Sequence, residues 1–140
     1  MSQIIVIVVI IVAPFVAAWL GALMERSGIS IARPAYLLRL VVLWVVVYGV
    51  SYYGGAHLFA LGMGGWHPGT LAATVGLVVF QCVAFWYTGL LMARRLNDIG
   101  TPRYRWLAVL TGFPIIGLLV ALVLGFLPPA GRGKPLAEVG

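Results

Sequence analysis

Four stretches of this chain are long, apolar and almost free of charge. They cover residues 4–23, 36–53, 71–92 and 106–127, and the charged residue among them is Arg39. Because a transmembrane helix needs about 20 such residues to cross a hydrocarbon layer of about 30 Å, each stretch predicts a span. Strands of a membrane barrel would instead alternate apolar and polar residues. We therefore expect an all-α membrane protein, with a single membrane domain over residues 1–140 and four transmembrane helices in an up-down antiparallel bundle.

The composition agrees with a membrane protein and excludes several other classes. Hydrophobic residues make up 63% of the chain and charged residues 9%, whereas soluble proteins average roughly 45–50% and about 25%. Three acidic residues would leave a soluble domain with too little charged surface to stay dispersed. One cysteine excludes an intrachain disulfide, and the basic residues have no hydrophilic domain on which to bind nucleic acid.

Basic residues gather at or beside two of the three connections between the predicted helices. These residues are Arg26, Arg33, Arg39, Arg94, Arg95, Arg103 and Arg105. The connection at 54–70 has none, and the C-terminal tail carries Arg132 and Lys134. Because Arg and Lys concentrate in cytoplasmic loops, we expect the first and third connections in the cytoplasm and both termini outside. The alternative is that Pro114 breaks the fourth stretch into a re-entrant hairpin, which would return the basic tail to the cytoplasm.

Small residues recur at every fourth position on two of the predicted helices. The first helix carries Ala13, Ala17 and Gly21, and the fourth carries Gly117, Ala121 and Gly125. Small residues at this spacing let two helix backbones approach closely in a membrane. We predict helix packing along both rows, although Gly and Ala are abundant enough here to produce such rows without a contact.

Aromatic residues form a stripe on the second predicted helix. Trp44, Tyr48 and Tyr52 share one face, and Trp66 follows in the connection. Such residues serve as anchors at the membrane interface or as internal packing, and we assign these four to the interface. The connection at 54–70 is apolar and rich in glycine, so we expect it to lie on the membrane surface or against a partner.

The residues after the third stretch predict a tight turn between antiparallel helices. If the third helix continues through Ile99, then Gly100 suits the position just after a helix end. Thr101 suits the N-cap of the next helix, and Pro102 suits its first turn.

The same segment is the most polar part of the chain. In a continuous helix Arg94 and Asp98 form an i,i+4 pair, and Arg95 stands three residues from the same carboxylate. We predict a contact with anionic lipid or with a partner protein through Arg94, Arg95, Asp98, Arg103 and Arg105. The alternative is a capped turn whose arginines only fix the orientation in the membrane.

These residues also carry a resemblance to a known family. The sequence Arg-Arg-Leu-Asn-Asp-Ile-Gly at 94–100, followed by Trp106 and by Phe-Pro-Ile-Ile-Gly at 113–117, resembles the bacterial membrane family called domain of unknown function family 805. The family has a histidine where this chain has Asn97, so a proton-transfer or ligand role at that position is not implied. The resemblance implies a multi-pass protein of the bacterial inner membrane with no established activity, for which the outside is the periplasm.

Residue types that perform chemistry are scarce in the apolar stretches. Gln81 and Cys82 lie in the middle of the third stretch, where Gln can bond to a neighbouring helix and Cys acts as a small apolar residue. His57 and His67, with Met63 between them, are weak candidates for a metal site because further ligands are missing. We therefore expect no enzyme, no catalytic, cofactor-binding or metal site, no cofactor and no soluble substrate.

The function expected from these features is that of a structural or accessory subunit. Its partners would be membrane lipids, including anionic ones, and larger integral membrane proteins such as those of a respiratory or photosynthetic complex. The alternative is a small oligomeric transporter or channel, which would need a polar path that these stretches do not contain.

Overall fold

The structure, a computed structural model, describes residues 2–26, 29, 31–62 and 68–129, and all regular secondary structure in this part of the chain is helical. The all-α prediction is therefore confirmed. The predicted helices at 36–53 and 71–92 lie within longer helices, which extend beyond them at both ends. The elements are α1 (Ser2–Met24), α2 (Arg33–Gly62), α3 (Pro68–Ile99), a 3-10 helix (Pro102–Gly112) and α4 (Pro114–Phe126).

The first and third helices run parallel and cross closely. Gly21 lies against the carbonyl of Trp86, and Gly89 lies against the carbonyl of Ala18, so that a Cβ at either glycine would come within 2.0 Å of a backbone oxygen. Beyond this crossing, Glu25 at the end of α1 forms an ion pair with Arg94 near the end of α3. The C-terminal ends of α1 and α3 therefore lie side by side.

The second helix runs antiparallel to α3. Trp44 packs against Phe85 with ring centroids 5.7 Å apart, and further along α2 Ser51 accepts a hydrogen bond from Gln81. Later residues of α2 thus contact earlier residues of α3. As a result, the N-terminal end of α2 joins the C-terminal ends of α1 and α3, and we call this end of the molecule the polar end.

The last two helical segments form a hairpin that both begins and ends at the polar end. The 3-10 helix starts directly after the turn that follows α3, and the chain reverses at Phe113, whose backbone is extended (φ −89°, ψ 115°). Pro114 has no N–H to extend the preceding helix and instead starts α4. The carbonyls of Leu124 and Leu127 at the far end of α4 then accept hydrogen bonds from Arg95 of α3.

The prediction of one continuous helix at 106–127 is therefore wrong. The alternative of a hairpin broken at Pro114 describes the fold, and α4 returns to the polar end instead of continuing away from it. The 3-10 helix has eleven residues and a kink at Tyr104, so it extends at most about 22 Å, and the thirteen residues of α4 extend about 20 Å. Neither arm of the hairpin is long enough to cross a hydrocarbon layer of about 30 Å.

The tip of the hairpin packs against the middle of α1. The ring of Phe113 meets that of Phe15 edge to face, with centroids 4.8 Å apart and planes at 81°. Near the tip the two arms touch, because a Cβ on Gly117 would lie 2.3 Å from the Cα of Thr111. The amide of Gly117 donates to the carbonyl of Phe113 at 2.7 Å, so the backbone at the tip is hydrogen-bonded within the hairpin.

Large apolar side chains cover the outside of the described helices. Ile115 is 75% exposed and Val45 66% exposed, while the buried cluster is centred on α2 and α3. Two helical segments, Arg33–His57 and Leu71–Ile99, are long and apolar enough to cross a membrane. Such an exterior would be costly in water and suits a lipid environment.

Candidate functional site

The turn at the end of α3 sets the geometry of the polar end. Gly100 has a positive φ of 81°, which glycine adopts without steric cost. Its amide donates to the carbonyl of Asn97, and the amide of Thr101 donates to the carbonyl of Leu96. This is the Schellman arrangement, which satisfies the last carbonyls of a helix. Thr101 occupies the N-cap position of the 3-10 helix without a side-chain capping bond.

Arg95 lies in the interior of the polar end. It is fully buried, and its guanidinium donates to the carbonyl of Leu124 at 3.1 Å and to that of Ile31 at 3.4 Å. It also binds the carbonyl of Leu127 and the carboxylate of Asp98. A cation at this point complements the negative end of the α4 dipole and satisfies carbonyls that the helix cannot. Arg95 therefore fixes the hairpin from inside, away from any lipid surface.

Glu25 is the second centre of the polar end. Its side chain is 2% exposed, and its Oε2 lies 2.6 Å from Nε of Arg94. Its backbone carbonyl accepts a hydrogen bond of 2.8 Å from Arg105 of the 3-10 helix. Arg94 is thus paired across helices with Glu25, where the sequence predicted a pair with Asp98 on the same helix. These contacts connect α1, α3 and the 3-10 helix.

The amide of Asn97 links two connections that are distant in sequence. Its Oδ1 accepts a hydrogen bond of 3.0 Å from Arg105, and its Nδ2 donates one of 3.2 Å to the carbonyl of Ile29. An amide can donate and accept at the same time, and this position uses both capacities. Asn97 therefore holds the segment after α1 against the start of the 3-10 helix.

The second helix holds α4 through two side chains. Arg33 donates to the carbonyl of Phe126, and the buried hydroxyl of Tyr36 donates to the carbonyl of Ala121 at 2.9 Å. Together with Arg95, these donors bind four carbonyls at the end of α4, those of Ala121, Leu124, Phe126 and Leu127. The hairpin is thus fixed by side chains of α2 and α3.

Among the five residues predicted to contact lipid or a partner, Arg103 is the exposed one. Its guanidinium carbon lies 5.0 Å from the ring centroid of Tyr104, which is a cation–π distance. The other four are partly or fully buried and have partners within the protein: Arg94 pairs with Glu25, Arg95 pairs with Asp98, and Arg105 binds the carbonyl of Glu25 and the side chain of Asn97. Two further arginines at this end, Arg26 and Arg33, are exposed. The outward charge of the polar end is therefore positive.

The predicted rows of small residues have different surroundings. On α4 the row lies inside the protein: Gly117 meets the 3-10 helix, Gly125 meets Leu37 of α2, and Ala121 is fully buried. On α1 the contact face is turned by about one residue from the predicted row. Gly21 is buried there, but its buried neighbours are Pro14, Ala18 and Ala22, while Ala13 and Ala17 are half-buried.

The predicted aromatic stripe changes its environment along α2. Trp44 is 6% exposed and packs in the core against Phe85, so it lies inside the protein and not at an interface. Tyr48 is 47% exposed and Tyr52 74% exposed, as expected for residues that face lipid or its boundary. Trp66 lies outside the described residues.

Metal-ligating residues do not gather in the described part of the chain. No group of three His, Cys, Asp or Glu residues that could hold a metal ion occurs there. His57 is exposed on α2 and Cys82 is half-buried on α3, and the predicted pair of His67 and Met63 lies outside the described residues.

Two residues that organise the polar end were not singled out from the sequence. Glu25 had a signal, because an acidic residue is rare in this chain and this one stands directly after an apolar helix. Tyr36 had no such signal in the sequence, because its hydrogen bond to Ala121 forms only where the hairpin brings α4 against α2.

A comparison with protein families finds a family model that includes the residues of the polar end. Residues 24–134 match the family model described as "Protein of unknown function (DUF805)". The chain belongs to the DUF805 family. The resemblance noted from residues 94–117 is thereby confirmed, and the DUF805 match includes every residue of the polar end from Glu25 onward. Most of α1 precedes the matched residues. No curated protein and no solved structure matches the chain.

Proposed function

We propose that this DUF805 protein is a multi-pass protein of the bacterial inner membrane, in which three helices span the bilayer and the hairpin enters it partway. The apolar exteriors and lengths of α2 and α3 support two spans. Helix α1 has 23 residues and would extend about 35 Å, which is enough for a third span. The hairpin arms, at about 20 Å, are too short to cross.

In this proposal the polar end faces the cytoplasm. Exposed arginines occur there, and basic residues favour the cytoplasmic side. The return of α4 to this end adds support, since Arg132 and Lys134 follow the last described residue, Pro129, within a few positions. With the hairpin, Pro129 lies at the same end as the exposed Arg26, Arg33 and Arg103.

The role proposed for this arrangement is that of an accessory subunit that binds anionic lipid and a larger membrane protein. The observation that carries it is the division of the surface into a cationic end and apolar sides. Glu25 and Asp98 are used in internal ion pairs, so the groups left for recognition are exposed arginines and apolar side chains. Exposed cations attract anionic headgroups, and apolar helix faces can pack against other membrane helices.

Cysteine accessibility tests the topology. In a Cys82→Ala background, Arg26→Cys and Pro129→Cys mark the polar end, and His57→Cys marks the opposite end of α2; all three positions are exposed. In cells with a permeabilised outer membrane, an impermeant maleimide should label His57→Cys but neither of the others. Inverted vesicles should give the reverse pattern. Labelling of Pro129→Cys together with His57→Cys would contradict the hairpin topology.

Co-purification tests the accessory role. A photo-reactive residue at Val45, which is 66% exposed on α2, should crosslink to a larger membrane protein, and the two should leave a mild detergent extract at a fixed ratio. Crosslinks to copies of the same chain alone would contradict the accessory role and favour the oligomeric transporter or channel.

A further inference from the structure

An open groove runs between α1 and the 3-10 helix. Its volume is about 530 Å³, within the range of about 300–1,000 Å³ that is common for binding pockets. All of its lining side chains are apolar or aromatic. They are Phe15, Val16 and Trp19 from α1, and Trp106, Val109 and Leu110 from the 3-10 helix.

The groove extends from near the polar end to the hairpin tip. Trp19 lies about 8 Å along α1 from Met24, and Phe15 contacts Phe113 at the tip. If the polar end lies at the headgroups, the groove occupies the hydrocarbon region of that leaflet alone. Trp19 and Trp106 then stand nearest the headgroups, where tryptophan is favoured.

A positive charge stands at the polar-end side of the groove. In a 3-10 helix, side chains three positions apart lie above one another, so Trp106 and Val109 share a row. Arg103 precedes this row by one turn, just before the kink at Tyr104, where the segment meets the polar end. Arg103 is exposed, and a second exposed arginine, Arg26, stands two residues after the end of α1 at the same end of the molecule.

We propose that this groove holds one acyl chain of an anionic phospholipid, whose phosphate binds Arg103. An apolar cleft parallel to the helices that opens toward the bilayer suits a single chain. A guanidinium at its headgroup end selects a phosphate that carries net negative charge. The proposal rests on the proposed function, since it requires the polar end at the headgroups, and it names the lipid and the place where it binds.

Lipid retention by the full-length protein tests the site. The protein, purified in mild detergent, is mixed with phosphatidylglycerol or phosphatidylcholine of identical acyl chains, and bound lipid is counted by native mass spectrometry. Wild type should retain phosphatidylglycerol preferentially. Arg103→Gln should lower this retention about fivefold, the value of one basic residue near an anionic headgroup. Arg39→Gln, on α2 and away from the groove, should keep the preference.

Filling the groove gives a second, independent variant. Val109→Trp should reduce the retention of both lipids, whereas Val45→Trp on the exposed face of α2 should reduce neither. Circular dichroism shows whether each variant is folded. If Val109→Trp unfolds, lipid retention by Arg103→Gln, a change at an exposed position, still tests the site.

The outcomes separate this site from the proposed function. If wild type shows no preference for phosphatidylglycerol, the anionic-lipid role itself is overturned. If wild type shows the preference but Arg103→Gln and Arg39→Gln behave alike, the lipid binds elsewhere on the polar end and the groove site is overturned. Loss of phosphatidylglycerol in Arg103→Gln, with phosphatidylcholine unchanged, supports the proposal.

Discussion

Arg95 on α3 donates a hydrogen bond of 3.1 Å to the carbonyl of Leu124 on α4, across 29 residues of sequence. Because Arg95 is fully buried, Arg95→Met would leave the Asp98 carboxylate and the carbonyls of Leu124 and Leu127 without this donor. We expect a loss of about 3–5 kcal/mol in the free energy of unfolding, measured by reversible unfolding in mixed micelles. Arg26→Gln removes an exposed charge of the same kind and should change the value by at most about 0.5 kcal/mol. Equal effects of the two changes would show that Arg95 does not stabilise the hairpin.

The ion pair between Glu25 and Arg94 can be measured by a double-mutant cycle. Glu25→Gln and Arg94→Gln each remove one charge, and the double variant removes both. With Nε and Oε2 at 2.6 Å and Glu25 2% exposed, we expect a coupling of about 1–2 kcal/mol. If the two single effects add within about 0.3 kcal/mol, the two residues stabilise the protein independently.

The close crossing of α1 and α3 predicts a sharp difference between two glycines of the same helix. A Cβ at Gly89 would lie 2.0 Å from the carbonyl oxygen of Ala18, whereas one at Gly76 would meet nothing within 4 Å. Gly89→Ala should therefore destabilise by about 1–3 kcal/mol, because the helices must separate. Gly76→Ala should be neutral or stabilising by up to about 1 kcal/mol, because alanine favours the helix. The same unfolding measurement distinguishes them, and a neutral Gly89→Ala would contradict the observed crossing.

The buried hydroxyl of Tyr36 predicts a smaller effect. Tyr36→Phe removes the bond of 2.9 Å to the Ala121 carbonyl and leaves that buried acceptor without this donor, at a cost of about 1–2 kcal/mol. Tyr52→Phe, at a side chain that is 74% exposed, should change stability by less than about 0.5 kcal/mol. If Tyr36→Phe is as neutral as Tyr52→Phe, the bond does not stabilise α4.

Local patterns in the sequence were enough to predict most of the helices and the turn after α3. Unbroken apolar runs identify helices, and the order Gly100, Thr101, Pro102 matches the end of one helix and the start of the next. These features depend on residues close to one another in the chain, and their physical causes are visible in the sequence.

The hairpin and the ion pairs depend on contacts between distant residues, and the sequence alone could not decide them. Residues 106–127 satisfy the length and composition of a crossing helix. Whether Pro114 bends or reverses the chain depends on the donors that Tyr36 and Arg95 supply to α4. In the same way, Arg94 has Asp98 one turn away, yet it pairs with Glu25, which only the packing of α1 against α3 brings near.

The bonds from Arg95 to Leu124 and Leu127 also join an early part of the chain to a late one. The ribosome completes α3 before it has made α4, so a newly made Arg95 lacks two of the carbonyls that later accept its hydrogen bonds. A nascent chain that stops short of Leu124 leaves this guanidinium to Asp98 and to the carbonyl of Ile31. Synthesis of the last helix therefore completes the solvation of a cation that was made about thirty residues earlier.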